Sequence, residues 1–457
     1  MTKFQDHESS RRRRALFIAY TFPPVGGAGV QRTTKFVKYL PQCGWDASVL
    51  TVSNPSVPLR DESLVRDVPP TTKIVRARTF EPSYARKMTL AEGKLRSGII
   101  GPLKHALSKA MMGLLQPDPQ ILWNAPAFLA GVRALRRTPH DVIVASAPPF
   151  SSLLLGAALS TAARIPLVLD YRDEWDVSNK YWENRHVSGS SVAIQRAMEN
   201  YALRHGSAVI ATSPRSAGAL STLSRRARSG ASVTHIFNGF DPDDFRSSDQ
   251  SAIPPDGTWR LVYTGTLYHL MSPEPLVRAI EALASIRPDL AARIELVFAG
   301  RHTPEQRQRL ARLALICRLN TREYVSHAEA IGLMRSADAV CVLLRDLPGA
   351  DRVIPAKLFE YIASEKPILA IAPRGDVWDL LRPHPAAFAF QPGDVSQIKD
   401  WLVRAIEGDV RAPEPGTIRT EPFNRQLQAK DLASLLDDLV SVSGVRQRVS
   451  QEAACSA

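Results

Sequence analysis

Ala15-Leu-Phe-Ile-Ala-Tyr20, followed by Thr21-Phe-Pro-Pro-Val-Gly-Gly-Ala-Gly-Val30, decides how the rest of the chain is read. The first six residues are short, uncharged and apolar, the pattern of a strand buried on both faces. Glycines then make a tight turn, and Val30, Thr33, Val37 and Leu40 recur at helical spacing until Gly44, suited to a left-handed helix end. Strand, glycine turn and helix in this order form one half of a crossover unit. Ala47–Val52 supplies the next strand.

Outward from that unit the alternation repeats. Strands are predicted over Lys73–Ala77, Asp141–Ala145, Pro166–Asp170, Ser207–Thr212 and Val233–Phe237, mostly with helical patterns between them. Ser251-Ala-Ile-Pro-Pro-Asp-Gly-Thr258 interrupts the series and reads as a linker. The pattern then restarts with strands over Arg260–Thr264, Ile294–Ala299, Ala339–Leu344, Pro367–Ala372 and Ala387–Phe390. Helices are predicted over Pro273–Ile286, Pro304–Cys317, Ala328–Arg335, Pro355–Ala363 and Val395–Ile406. Strands that alternate with helices make parallel sheets covered on both faces. The expectation is an α/β chain of two doubly wound, Rossmann-like domains, 15–250 and 259–420, around a cleft. A polar tail (1–14), a last helix (421–440) and a disordered end (441–457) complete it.

Composition narrows the function classes. The chain has 457 residues, 44% of them hydrophobic and 23% charged, which excludes a fibrous or disordered protein. Its 58 Lys+Arg and 45 Asp+Glu give a formal charge of +13. That fits an anionic partner such as a nucleotide or phospholipid surface, or a scattered surplus. The basic residues are dispersed and carry no recognition motif, so no nucleic-acid partner is expected. Cys43, Cys317, Cys341 and Cys455 are far apart, with no metal-ligand spacing. The longest apolar candidate, Ser151–Leu169, is broken by Ser160, Thr161 and Arg164, short of the ~20 residues of a membrane span. The chain reads as soluble and cytoplasmic. A basic, apolar stretch from Lys94 to Leu115 suits either an anionic membrane surface or an ordinary packed helix.

Four stretches carry candidate chemistry. In the glycine turn, backbone N–H groups and a helix start can approach an anion. Gly27-x-Gly29 begins a dinucleotide fingerprint, but the third position is Arg32. Asp141–Phe150 ends a strand in a turn that delivers Ser146 to the cleft edge, and Asp170-Tyr-Arg-Asp-Glu-Trp175 places Arg172, Asp173 and Glu174 at another strand end. Carboxylates there suit acid/base work or sugar-hydroxyl recognition, with a salt-bridged loop as the alternative. Phe237-Asn-Gly-Phe-Asp-Pro-Asp-Asp-Phe245 reads as a turn closing the first domain, its acids capping rather than binding metal. In Val353-Ile-Pro-Ala-Lys-Leu-Phe-Glu-Tyr-Ile-Ala-Ser-Glu-Lys-Pro-Ile368, Lys357 lies at a helix start with Glu360 on the same face. A cation there is unfavourable unless an anion is bound. The pair can hold a diphosphate and a ribose hydroxyl, or simply each other.

These motifs resemble, in joint order, glycosyltransferase family 4. The likeness rests on the first glycine turn, Asn238-Gly239, Tyr263-Thr-Gly-Thr-Leu267, Val297-Phe-Ala-Gly300 and Pro355-Ala-Lys-Leu-Phe-Glu-Tyr361, over about residues 15 to 410. Phe22-Pro-Pro…Arg32, Ser146-Ala-Pro-Pro-Phe-Ser151 and Asp170-Tyr-Arg-Asp173 further resemble a bacterial surface-polysaccharide subgroup. The resemblance implies a GT-B fold and transfer of a sugar, with retention, from a nucleotide sugar to a lipid-linked or polysaccharide acceptor. It implies no metal and no cofactor beyond that donor, and a possible contact with the anionic inner-membrane surface. Donor-binding positions would be Gly265, Arg301, Lys357, Leu358 and Glu360, with Asp173 and Lys357 catalytic. Gly26, Gly27, Arg32, Ser146 and Arg172 would line the acceptor side.

The sequence departs from the family at three places. Arg352 stands eight residues before Glu360, where the family has a second glutamate. Thr266 follows Gly265 in place of a basic residue, and Ser146 replaces a histidine common in relatives. The alternatives are a non-catalytic nucleotide-sugar-binding protein of an assembly complex and a nucleotide-sugar epimerase.

Overall fold

The computed structural model describes residues 11–57, 59–81, 115–181, 189–246 and 257–455. Two wholly parallel sheets organise them. The first has the order β3-β2-β1-β4-β5-β6-β7. Its strands are β1 (Arg13–Ile18), β2 (Trp45–Val52), β3 (Lys73–Ala77), β4 (Val142–Ala147), β5 (Leu167–Tyr171), β6 (Ala208–Ala211) and β7 (Ser232–His235). The second has the order β10-β9-β8-β11-β12-β13. It contains β8 (Trp259–Thr264), β9 (Ile294–Ala299), β10 (Arg318–Arg322), β11 (Ala339–Leu343), β12 (Ile368–Ile371) and β13 (Ala387–Phe390).

Helices cover both faces, which is why the central strands are apolar on both sides. Phe17 on β1 is flanked in register by Val49 and Val144, and all three are buried. Strand order reverses between β1 and β4 and again between β8 and β11. Adjacent strand ends there leave the crevice in which doubly wound sheets bind ligands.

The first helix runs from Ala28 to Tyr39 and closes in a 3-10 turn at Leu40–Cys43, with Gly44 at φ +84°. Two boundaries differ from expectation. The helix expected over Pro304–Cys317 stops at Ala311, and Arg318–Arg322 adds a strand that the sequence did not signal. Arg-Leu-Asn-Thr-Arg is an edge strand paired to β9 alone, so it needs no apolar alternation. The last helix begins at Arg425, after a 3-10 turn containing Pro422, with the Asn424 side chain accepting from the Gln426 N–H. It continues to Cys455, where a tail was expected: residues 441–455 hold no proline and one glycine.

The chain returns to its beginning through that helix. Ala429, Leu432, Ala433 and Leu436 join the first domain's core beside Phe36, Val37 and Trp45. Gly239 lets the backbone approach closely: Phe240 N–H donates to the Phe423 carbonyl at 2.9 Å, and a Cβ on Gly239 would meet that oxygen. The predicted basic stretch from Lys94 lies outside the described residues except for Leu115, as does most of the 251–258 linker. Among the described residues, no helix is long and apolar enough to cross a membrane.

Candidate functional site

On the second domain, the site is built from two glycine turns and one helix start. Gly265 follows β8 at φ +109°, a conformation that costs side-chain-bearing residues about 1–2 kcal/mol. Gly300 follows β9 at φ +139°, and a Cβ there would lie 2.3 Å from the Gly265 carbonyl oxygen. The two turns therefore touch backbone to backbone. Lys357, the first residue of the helix Lys357–Ala363, reaches beneath them. Its Nζ is 3.0 Å from where a Gly265 Cβ would stand and 3.4 Å from the Tyr263 ring centroid.

That ammonium is buried and, among the described residues, has no hydrogen-bond partner. Burial pushes it down from 10.5 to about 7, with Cys341 and Glu360 opposing. The aromatic face offsets part of the desolvation. A buried amine beneath two glycine turns is chemically suited to an anion, which would supply the counter-charge it lacks. Leu358, next in the helix, is buried in the second core, so its side chain packs, leaving only its backbone to offer. Arg301 follows the second glycine turn and is exposed.

Glu360 lies one turn along the same helix, 18% exposed, with His327 Nε2 at 3.8 Å. Burial raises its carboxyl, His327 lowers it and Asp244 raises it. On balance the carboxyl stays raised; it is partly accessible and, when ionised, able to accept from hydroxyls.

The first domain faces this with Gly26, whose Cβ would lie 2.8 Å from the hydroxyl of Tyr324 on the second domain. Gly27, at φ +104°, starts the first helix. Arg172 clamps the turn in place, its guanidinium donating to the carbonyls of Gly29 and Pro148. Asp173, beside it, is exposed at the surface between Arg172 and Glu174. Its carboxyl is raised by loss of water, lowered by Arg172 and raised by Glu174.

Arg32 and Ser146, expected at the cleft edge, are instead buried beneath it. Arg32 Nε donates to both oxygens of Asp170 at 3.0 and 3.2 Å, and Nη1 to the carbonyls of Ile236 and Phe237 at 2.9 Å each. Ser146 Oγ donates to Asp170 at 2.9 Å. Two strand ends and the first helix are thus tied together through Asp170, which explains why these polar residues occur there.

Arg352 is engaged elsewhere. It grips Glu174 of the first domain in a bidentate pair at 2.8 and 2.7 Å, across the cleft. The Asp-rich close of the first domain is a cage for an ammonium: Lys35 Nζ lies 2.7 Å from Asp67, 2.7 Å from Asp241 and 2.9 Å from Asp244. The same three carboxylates have the spacing of a metal site, but Lys35 sits among them and Lys38 adds a second ammonium 3.1 Å from Asp67 and 2.8 Å from Asp241. Asp241 also accepts from the Asp243 N–H, the local capping expected of it.

Sequence reasoning missed Lys35, His327 and Arg425. Arg425, at the start of the last helix, is buried and pushed down to about 9, first by burial and then by Arg32, with Glu360 opposing. Nothing local in the sequence marks these residues, because their partners are distant in the chain: Asp67, Asp241 and Asp244 for Lys35, Asp244 and Glu360 for His327, and Arg32 and Glu360 for Arg425.

Residues 105–231 match the family described as Glycosyl transferase 4-like domain. No curated protein matches the chain in sequence. Among solved structures it is similar to Alr3699/HepE of Anabaena, in complex with UDP and glucose. That match has 18% identity and a TM-score of 0.52, covering 97% of this chain and 100% of that one. The lipopolysaccharide outer core galactosyltransferase WaaB is 13% identical with a TM-score of 0.54, covering 93% of this chain and 99% of that one. The α,α-trehalose 6-phosphate synthase of Burkholderia multivorans is 14% identical with a TM-score of 0.56, covering 97% and 99%. At such identities the likeness is one of fold. Together with the two facing parallel sheets it shows a GT-B fold, in which residues 105–231 are similar to the Glycosyl transferase 4-like domain.

Proposed function

We propose that the protein is a retaining glycosyltransferase, moving a sugar from a nucleotide-sugar donor to a lipid-linked or polysaccharide acceptor in cell-envelope or exopolysaccharide biosynthesis. The observation that carries this reading is Lys357: a buried ammonium without a partner, under two abutting glycine turns, with the Glu360 carboxylate on the same helix face. The solved neighbour HepE was crystallised with UDP and with UDP-glucose, which supports a nucleotide-sugar donor.

In this reading Lys357, the backbone of Gly265 and Arg301 hold the diphosphate, and Glu360 accepts from the ribose hydroxyls. Leu358 contributes its backbone at the helix start. The bond between the anomeric carbon and the phosphate oxygen breaks as the acceptor hydroxyl oxygen bonds to that carbon. The hydroxyl proton ends on the departing phosphate. Negative charge grows on the diphosphate during the step, so a cation fixed in a site poor in water stabilises the transition state more than the ground state. Asp173 and Arg172 stand at the acceptor side with Gly26 and Gly27, where the raised carboxyl of Asp173 suits recognition of an acceptor hydroxyl. No metal is assigned to this chemistry, since Lys357 supplies the positive charge. Contact with an anionic inner-membrane surface from the cytoplasm would bring a lipid-linked acceptor to the cleft.

The test is nucleotide release from a panel of nucleotide sugars with a crude lipid-acceptor extract, run beside a Glu360→Ala variant. Release that requires both acceptor and Glu360 is expected. Thermal stabilisation by a donor without any release would instead favour a nucleotide-sugar-binding protein, the reading to which the Arg352–Glu174 pair lends weight.

A further inference from the structure

We propose that His327 is a positioning residue that couples closure of the cleft to the donor carboxylate, standing between Asp244 of the first domain and Glu360 of the second. The inference rests on the reading of Glu360 as the ribose ligand and deepens it. His327 Nε2 is 3.2 Å from Asp244 Oδ2 and 3.8 Å from Glu360 Oε1. Asp244 is in turn held by Lys35 at 2.9 Å. Lys35, Asp244, His327 and Glu360 thus form a line of alternating charge that crosses from one domain to the other.

His327 occupies an expensive place for a cation. It is the first residue of the helix His327–Arg335, capped by Ser326, where the helix dipole disfavours positive charge. The two carboxylates reverse that preference, and the imidazole is raised from 6.5 despite its burial. The other charged groups around the line are Asp67 and Asp241 on Lys35, Lys38 on both of those and on Asp243, Arg66 at 3.6 Å from Asp244, and Arg425 near Glu360.

Two further contacts close the same flank. Arg335 Nη1 donates to the Phe245 carbonyl at 3.0 Å, and the Tyr324 hydroxyl lies 3.4 Å from Asp61. Asp244 and His327 meet across the boundary between the two domains, so their contact depends on how the domains are placed. Closure therefore delivers the carboxylate that charges the imidazole, and the charged imidazole keeps Glu360 ionised. Without it, burial and the negative Asp244 both act to protonate Glu360. A protonated carboxyl loses its capacity to accept from two hydroxyls at once.

UDP serves as the probe, titrated calorimetrically at about pH 6 and about pH 8. The wild type should bind about tenfold more tightly at the lower pH, because Lys357 is already charged there, beyond the change due to the nucleotide's own phosphate. His327→Gln should bind about tenfold more weakly at the lower pH than the wild type does, with its unfolding temperature little changed. His327→Lys, which restores a cation, should recover the wild-type profile. A His327→Gln profile that follows the wild type at both pH values overturns the proposal. If that variant does not fold, the lysine variant decides: binding weaker than the wild type's at the lower pH overturns the coupling and the wild-type profile upholds it. Glu360→Gln separates the two claims, because wild-type UDP binding in that variant would refute the ribose assignment itself, whatever His327 does.

Discussion

Binding of a diphosphate should draw a proton onto Lys357, and the amount follows from the site. In the empty cleft the ammonium is pushed down to about 7 by burial. A bound diphosphate supplies the missing counter-charge and returns the group toward its ordinary value. At pH 8 about nine tenths of the molecules then hold a neutral Lys357 before binding and a charged one after, an uptake of about 0.9 proton. At pH 7 the uptake should be about 0.5, and at pH 6 about 0.1. Calorimetric titration with UDP in two buffers of different ionisation enthalpy reads this directly. The nucleotide's own terminal phosphate titrates near pH 6, so its contribution is smallest at pH 8, where the effect of Lys357 is largest. Lys357→Met should bind UDP more weakly and show no uptake at pH 8. Wild-type uptake below about 0.2 proton at pH 8 would refute the reasoning that Lys357 is held neutral for an anion.

Gly265→Ala should weaken UDP binding at least tenfold, since its Cβ would lie 3.0 Å from Lys357 Nζ at a backbone angle of +109°; equal affinity would remove the turn from the site. Arg32→Ala leaves Asp170 buried without its cation and should cost about 3–5 kcal/mol of stability, read as a lowered denaturant midpoint of the first domain. The Lys35 cage holds Asp241 and Asp244 below the usual carboxylate range, so their contribution is present above about pH 4 and is lost as pH falls through their folded values. Lys35→Met weakens that depression, leaving Lys38 and His327 to supply the rest, and its acid-unfolding midpoint should move to higher pH. Glu174→Gln weakens the cross-domain pair with Arg352 and should lower the acceptor's kcat/KM more than UDP affinity; a change confined to UDP binding would contradict this.

Much of the fold was legible because both sheets are buried on both faces. Strands such as Ile294–Ala299 and Lys73–Ala77 announce themselves as short apolar or β-branched runs between helical patterns, and the structure places them at those positions. Arg318–Arg322 was not legible, because an edge strand bonded on one side carries polar residues without penalty. Helix ends set by distant packing were equally hidden: nothing in Arg425–Cys455 reveals that its first half docks against Trp45 and Phe36.

The site divides along the same line. Lys357, Glu360 and the glycine turns stand in short motifs whose local geometry dictates their chemistry. Arg32 and Ser146 have the right residue types for a cleft, but Asp170 draws both beneath its floor. Arg352 looked like a lost acid in the sequence, and only the tertiary structure supplies its partner, Glu174, 178 residues earlier in the chain. The line from Lys35 to Glu360 requires four residues from both domains and has no sequence signature.

Proton NMR of the donor's anomeric signal, followed in real time with the acceptor extract, tests the central claim most directly. The account predicts that the signal is replaced by one of the same configuration only when acceptor is present, and that Lys357→Ala and Glu360→Ala each abolish the change. Donor consumed at equal rates without acceptor, or by both variants as by the wild type, would contradict it.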